Sequence, residues 1–450
     1  MRYKILSLFL FFSLISGGEV PFNESNLVEW DITGPIVGGF EKIHAADLEN
    51  DGYVDILGHS HADGEIIIIP GGPGSYSISD SYTLFENNYD QLTDIKNSDL
   101  DNDGLSDIIT STNNNATGSS NLEVHYQYVT ESSSLSFSTY WINNSLYGIS
   151  DIEIVDVNGD SLLDIVVVAL YSHKVVWFEN LGNRSFGSEI TIYEEGNSSP
   201  RKVTASDLDL DGDIDIISSH ENSDMVNIHW NQNFGNTFNT YPLYPPSNDL
   251  SAAFCVEVYD LDGNGYDDII ATSFNYGIRV TTNSGGGEQD PYNFTDYGTV
   301  LQGSIRQPDA LKISDFDQDG NVEIITINSP TLDYQEIVAV EYQDNGPGFG
   351  PSFGLHVLSE HSTYSFAPTH LALADFNNDG FLDILTNSRS ETRLISFMQI
   401  TPHNGPVWNV STNGSYDNDG SELLPFSSIQ AAIDASSDGD TVLVSAGTYT

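Results

Sequence analysis

Seven short acidic segments hold most of the side chains in this sequence that could do chemistry. Each follows D-x-[DEN]-x-[DN]-G-x-x-[DE], with oxygen donors at positions 1, 3, 5 and 9. The donors are Asp47, Glu49, Asp51 and Asp55 in the first copy; Asp99, Asp101, Asp103 and Asp107 in the second; and Asp156, Asn158, Asp160 and Asp164 in the third. The fourth has Asp207, Asp209, Asp211 and Asp215, and the fifth Asp260, Asp262, Asn264 and Asp268. Asp315, Asp317, Asp319 and Glu323 form the sixth, and Asp375, Asn377, Asp379 and Asp383 the seventh. Carboxylates this close repel one another, and a hard cation taking six to eight oxygens relieves the repulsion. Carboxylates, Asn amides and a position-7 carbonyl suit Ca²⁺ better than octahedral Mg²⁺, so up to seven Ca²⁺ ions are expected. Glycine at position 6 lets the chain turn around the ion in six copies. The third copy departs, with Ser161 there and Gly159 at position 4.

The elements around these loops are strands. Every copy runs directly into an isoleucine and a second aliphatic residue, as in Ile108-Ile109 and Ile216-Ile217, a β-forming pair expected to face a core. An EF-hand would instead end on a position-12 Glu between two amphipathic helices. The copies recur every 51 to 60 residues, which leaves room for one loop and several short strands in each unit. A third strand followed by Asn also recurs, as in Val175–Asn180 and Asn227–Asn231. In these loops and strands, residues 25–400 resemble the FG-GAP or VCBS repeat family of calcium-loop propeller modules. The resemblance implies an all-β fold of four-stranded antiparallel blades, the calcium loop joining the first two strands of each. Seven repeats then imply a seven-bladed β-propeller. The seventh unit offers only three strands before Pro402, and residues 27–33 precede the first unit in the slot of a fourth strand, so the N-terminal segment is expected to complete blade seven.

Charge narrows the partners. Lys and Arg number 13 against 66 Asp and Glu, a formal charge of −53, yet 39% of residues are hydrophobic and 11% aromatic. The chain is too apolar for a disordered acidic tail. Its field would repel phosphate backbones and anionic membrane surfaces, so neither nucleic acid nor membrane insertion is expected. The single Cys255 excludes an intrachain disulfide and any CxxC metal site. At the N-terminus Arg2, Lys4 and the apolar run Ile5–Ser16 read as a signal peptide over residues 1–18. That run is shorter than the roughly 20 apolar residues that span a bilayer. A secreted or cell-surface protein is expected.

If the first strand of each blade runs towards the calcium loop, the second-to-third turns emerge at the opposite end. Those turns, among them Gly58–Gly64, Tyr171–Lys174 and Ser219–Asp224, are rich in His, Asn, Ser and Tyr, and form the candidate face for a glycan or protein ligand. His59, His61, His173 and His220 lie in these turns, where solvation is the ordinary state. No two of them share an HxxxH spacing. Gly350–Gly354 matches the G-x-S-x-G nucleophile elbow without the strand-turn-helix setting it needs. No catalytic or cofactor-binding residue is assigned.

Four segments are expected: the signal peptide, a propeller over 19–402, a turn-rich linker over 403–422, and a different domain from 423. In the last, Ser427 or Ser428 caps a helix at Ile429–Ala435, whose Ile429, Ala432 and Ile433 share a face, and Thr441–Val444 reads as a strand. The stretch from Pro425 to Tyr449 resembles the opening coil of a right-handed parallel β-helix of the pectin-lyase-like kind. One coil cannot bury its own apolar face, so the chain reads as a fragment with the start of a truncated β-helix. The favoured function is a calcium-binding recognition or adhesion module, non-enzymatic in the residues present. The alternative is the targeting module of an extracellular polysaccharide lyase or hydrolase whose catalytic part follows residue 450.

Overall fold

In the computed structural model the two aliphatic residues after each acidic loop are buried on opposite faces of a strand. The structure describes residues 27–32, 40–60, 65–72, 76, 81–85, 92–113, 118–129, 135–223, 225–243, 253–273, 277–285, 293–301, 310–318, 320–331, 334–343, 345, 351–361, 368–378, 380–388, 393–399, 407–415, 425–436 and 440–449. The signal-peptide reading and His61 fall outside them.

After β1 (Leu27–Ile32) come six consecutive four-stranded sheets. The first holds β2 (Phe40–Ala46), β3 (Asp55–Ser60), β4 (Glu65–Ile69) and β5 (Tyr82–Phe85), and the second β6 (Leu92–Ser98), β7 (Asp107–Asn113), β8 (Ser120–Gln127) and β9 (Phe137–Asn143). The third comprises β10 (Ile149–Val155), β11 (Asp164–Ala169), β12 (Lys174–Phe178) and β13 (Ile190–Glu194). β14 (Pro200–Ser206), β15 (Asp215–His220), β16 (Met225–Gln232) and β17 (Thr237–Pro242) make the fourth. The fifth has β18 (Ala253–Tyr259), β19 (Asp268–Ser273), β20 (Gly277–Asn283) and β21 (Phe294–Leu301). β22 (Leu311–Ser314), β23 (Val322–Thr331), β24 (Tyr334–Gln343) and β25 (Ser352–His361) make the sixth. A seventh four-stranded sheet combines β26 (Pro368–Ala374), β27 (Asp383–Ser388) and β28 (Arg393–Gln399) with β1, in the order β1-β28-β27-β26.

The register repeats. In every sheet the last residue of the first strand lies opposite the position-9 acid, from Ala46 and Asp55 to Ala374 and Asp383. The first strand of each sheet touches that of the next, and β26 touches β2, so the seven first strands close on themselves. Side chains alternate across a strand. Thus Ile216 packs with Val203 and Trp177 towards the third sheet, while Ile217 packs with Ala253 and Ile269 of the fifth. Ile43, Ile56 and Ile69 of the first sheet likewise meet Phe376 and Leu385 of the seventh. These repeated four-stranded antiparallel sheets give an all-β, propeller-like fold.

His59 and His220, expected as solvated turn residues, are instead buried strand residues at 1% and 0% exposure. Strands β3 and β15 continue past the points where composition suggested turns, so both imidazoles enter the spaces between sheets.

A second compact unit takes in Leu27 and Val28 at the start of β1 together with the chain from Gln399 onward. Its β29 (Val407–Ser415) lies within the segment expected to be linker, and pairs in parallel with β30 (Thr441–Val444). Trp408 and Val410 drive that strand, packing with Phe426 and Ala432. Between them α1 (Ile429–Ala435) has Ser428 as its N-cap residue, but the Ser428 side chain makes no capping bond, and Ile433 faces solvent at 51% exposure.

Candidate metal centre

Each acidic loop joins the first and second strands of its sheet, and all seven take one backbone shape. Position 4 has positive φ throughout, at Asn50, Asn102, Gly159, Leu210, Gly263, Gln318 and Asn378, and so does position 6. Six position-6 residues are glycines with φ between +87° and +96°, whereas Ser161 adopts +72° despite its Cβ. The irregular third loop therefore folds like the rest.

Position 2, which the acidic pattern leaves open, is a buried apolar residue in every copy: Leu48, Leu100, Val157, Leu208, Leu261, Phe316 and Phe376. It anchors the loop to the core beneath. The position-1 carboxylate accepts backbone N–H groups from within the loop; Asp207 takes those of Asp211 and Gly212, each at 3.0 Å. Position 5 does the same for position 7, as Asp103 does for the Leu105 N–H at 2.9 Å.

Position 9 behaves differently. Its carboxylate is buried and accepts the position-2 N–H in all seven loops, at 2.7 to 3.2 Å. In the first five, the other oxygen accepts an N–H from the third strand or just beyond it, at Gly71, Gln127, Asn180, Asn231 and Asn283. The position-9 acid thus fastens loop to sheet while keeping lone pairs for an ion. Burial raises its pKa by disfavouring the charged form, with loop carboxylates adding and the backbone amides opposing: Asp55 and Asp164 rise to about 6, Asp107 and Asp268 to about 7, and Asp215 to about 8. A bound cation would supply the charge that favours the ionised form.

Four loops bring three acidic side chains together, with one oxygen from each lying within 4.8 Å of the others. The groups are Asp99, Asp101 and Asp107; Asp207, Asp209 and Asp211; Asp260, Asp262 and Asp268; and Asp315, Asp317 and Glu323. Two oxygens each about 2.4 Å from one Ca²⁺ can be no more than about 4.8 Å apart, so this hard-oxygen donor set fits the ion. Among the described residues the first, third and seventh loops form no such group. The third and seventh carry Asn158 and Asn377 at position 3, and Asp319 and Asp379 lie outside the described residues.

Two sets of residues escaped sequence reasoning. Arg184 reaches from the third sheet to the second loop, its Nε 2.6 Å from Asp101 and its Nη2 3.6 Å from Asp103. Nothing in the local sequence marks so distant a pairing. In the second to fifth sheets the residue at the end of the third strand forms a clasp between sheets: the side-chain amides of Gln127, Asn180, Asn231 and Asn283 donate to the position-2 carbonyls of Leu48, Leu100, Val157 and Leu208 in the preceding sheet, at 2.7 to 3.1 Å. The recurrent Asn after the third strand was the available signal.

Ser352 of the G-x-S-x-G match opens β25 and donates to Gln343 Oε1 at 3.2 Å, with a strand following it. Among the described residues no helix is long and apolar enough to cross a membrane.

Comparisons with known proteins agree with this geometry. No curated protein matches the chain. Among solved structures it is similar to the crystal structure of BBS1N in complex with ARL6DN, soaked with lead, with a TM-score of 0.51 and 11% identity over 84% of this chain and 98% of that one. It is also similar to a protein from Lactobacillus plantarum, with a TM-score of 0.45 and 13% identity over 69% and 82%. At such identities the first likeness speaks to the fold alone. The FG-GAP-like repeat pattern matches residues 99–167, 156–218, 207–271 and 315–386, together more than half the chain. Those segments contain six of the seven loops and the clasps made by Asn180 and Asn231, and the chain belongs to the FG-GAP-like repeat family.

Proposed function

We propose that this protein is a secreted recognition module, a seven-bladed propeller held by calcium that binds a glycan or protein on the face opposite its loops. The observation that carries the reading is the common backbone of seven acidic loops, four of which gather three acidic side chains within reach of one ion. Seven divalent ions would reduce the formal charge to about −39, with affinities of about 10⁻⁴ to 10⁻³ M as in other extracellular modules. On the opposite face Tyr147 and Tyr171 are 48% and 68% exposed beside Ser172 and His173, an aromatic and polar surface suited to stacking and hydrogen bonding.

Thermal unfolding with calcium and with a chelator tests this, because a ligand of the folded state alone raises stability. A calcium-dependent rise in Tm is expected; an unchanged Tm would overturn the calcium reading.

The parallel β29–β30 pair, with Phe426 bridged in parallel to Val410, favours a second reading, in which residues from 399 onward begin a β-helix and the propeller targets a polysaccharide-active enzyme. Hydrolysis or elimination of a polysaccharide by a longer form of the protein, but not by residues 1–450, would favour it.

A further inference from the structure

Arg184 puts a fixed positive charge into the second acidic loop, where an ion of the same sign is expected. Its Nε lies 2.6 Å from Asp101 Oδ2 and its Nη2 3.6 Å from Asp103 Oδ2, while its guanidinium covers the Tyr126 ring at 4.8 Å. The Arg184 side chain is 30% exposed and that of Asp101 only 9%, so solvent and salt screen this pair less than an ordinary surface ion pair.

The turn that follows β12 builds this placement. Asn180 donates to Leu100 O of the same loop at 2.9 Å, and Arg184 stands four residues further on. The Leu181 N–H on Ser185 O at 2.8 Å and the Gly187 N–H on Glu179 O at 2.7 Å close the turn. Gly182, Asn183 and Arg184 all have positive φ, at +73°, +53° and +59°. For Asn183 and Arg184 that conformation is one that side chains disfavour, and the turn holds them in it. The corresponding turn of the fourth sheet sets Phe234 against the third loop, where a Cβ on Gly159 would stand 2.9 Å from the ring. In both sheets the turn lays a side chain on the loop of the preceding sheet, and in the third sheet that side chain is a cation.

The oxygens Arg184 occupies are ones an ion would use. Asp101 Oδ1 accepts the Asp103 N–H at 3.3 Å and its Oδ2 accepts Arg184, so both are engaged. Asp103 Oδ1 accepts the Leu105 N–H at 2.9 Å, and its Oδ2 faces Arg184. The fourth loop has Asp at the same four positions, and there the position-5 Asp211 joins Asp207 and Asp209 in one group of oxygens. In the second loop the group is Asp99, Asp101 and Asp107, and Asp103 is not part of it.

We infer, resting on the calcium reading above, that Arg184 is a built-in counter-ion of the second loop, which offsets the charge of Asp101 and Asp103 without calcium and lowers the affinity of that loop for the ion. A calcium ion on Asp101 meets a guanidinium that shares the same carboxylate, and like charges this close repel. The second site therefore fills at a higher calcium concentration than its four carboxylates alone would set, by about tenfold.

Calorimetric titration of the full chain with calcium tests this, comparing wild type with Arg184→Gln and Arg184→Lys. One site should bind about tenfold more tightly in Arg184→Gln, and the gain should be absent in Arg184→Lys, which keeps the charge. The gain should also be lost in an Asp99→Asn background, which removes a carboxylate of the second loop alone. Arg201→Gln removes the same charge at the end of β14 away from the loops, where Arg201 pairs with Glu221 at 3.0 Å, and should leave every site unchanged. In chelator Arg184→Gln should melt below wild type, because the repulsion between Asp101 and Asp103 is then uncompensated, and saturating calcium should narrow the gap. Unchanged or weaker calcium affinity in Arg184→Gln, with calcium still binding, would overturn the inference and leave Arg184 as a plain ion pair. An equal gain in Arg201→Gln would overturn it as an effect of net charge. Absence of calcium heat in every one of these chains would remove the calcium reading, and this role of Arg184 with it.

Discussion

Ser161 is the one position-6 residue in the seven loops with a Cβ, and it holds the left-handed conformation that glycine supplies elsewhere. A side chain in that region costs about 1 to 2 kcal/mol. Ser161→Gly is therefore expected to stabilise the chain by roughly 1 kcal/mol in urea unfolding, offset in part by the greater freedom of glycine in the unfolded state. Histidines supply the residue-scale pH response. His229 lies 2.7 Å from Ser218 Oγ and 2.8 Å from Thr240 Oγ1, and His125 is held in the same way by Thr110 and Thr139. Burial lowers His125 and His220 to about 3 and His229 well below its ordinary value. A base whose folded pKa is depressed contributes full stability above its unfolded pKa near 6.5, and loses it as pH falls below that value. Each such histidine adds up to about 1.4 kcal/mol per pH unit to the loss. His229→Gln should make the slope of stability between pH 6 and 5 shallower by about that amount; identical slopes would show that His229 is protonated in the folded state.

At the scale of the element, the position-9 acid and, in the second to fifth sheets, the amide closing the third strand join loop, sheet and preceding sheet. Asn231 donates to Val157 O at 2.9 Å and Ile214 O at 3.0 Å and accepts the Gly235 N–H at 2.6 Å, all at 2% exposure. Its replacement by Ala strands buried carbonyls between two sheets, and a loss of about 2 to 4 kcal/mol is expected in chemical unfolding. A loss under 0.5 kcal/mol would mean that water substitutes for the clasp. Much of this layer was legible in the sequence. Acidic residues at fixed offsets and the Ile pairs announced loop and second strand, because charge repulsion and two-sided burial restrict residue type tightly. Arg184 was not legible, since its partner Asp101 lies in another repeat. Nor was β29, where Asn413-Gly414-Ser415 suggests a turn while Trp408 and Val410, two residues apart, carry the packing that decides the outcome. His59 and His220 misled for the same reason: composition marks a turn only where strand pairing does not continue through it.

For the whole molecule, the seventh sheet is the one built from both ends of the propeller, with β1 beside β28. Removing residues 1–33 would leave β28 as an unpaired edge, an invitation to association between copies. The truncated chain is expected to melt several degrees lower and to elute as dimers or larger species in size-exclusion chromatography. A monomer of unchanged Tm would mean that three strands suffice. Charge acts at this scale as well: the acidic loops all leave the same end of the first strands, so their mutual repulsion weakens with salt as well as with calcium.

The pairing of β1 with β28 also orders events in time. As the chain emerges from the ribosome, sheets one to six can each assemble from neighbouring segments, while β1 waits for the last strand of the ring to be made. Closure then joins segments far apart in the sequence, the kind of contact that forms late and slowly. Joining the two ends of the propeller and cutting between two other sheets would make every sheet from contiguous chain, and such a circular permutant should reach the same ring without that delay.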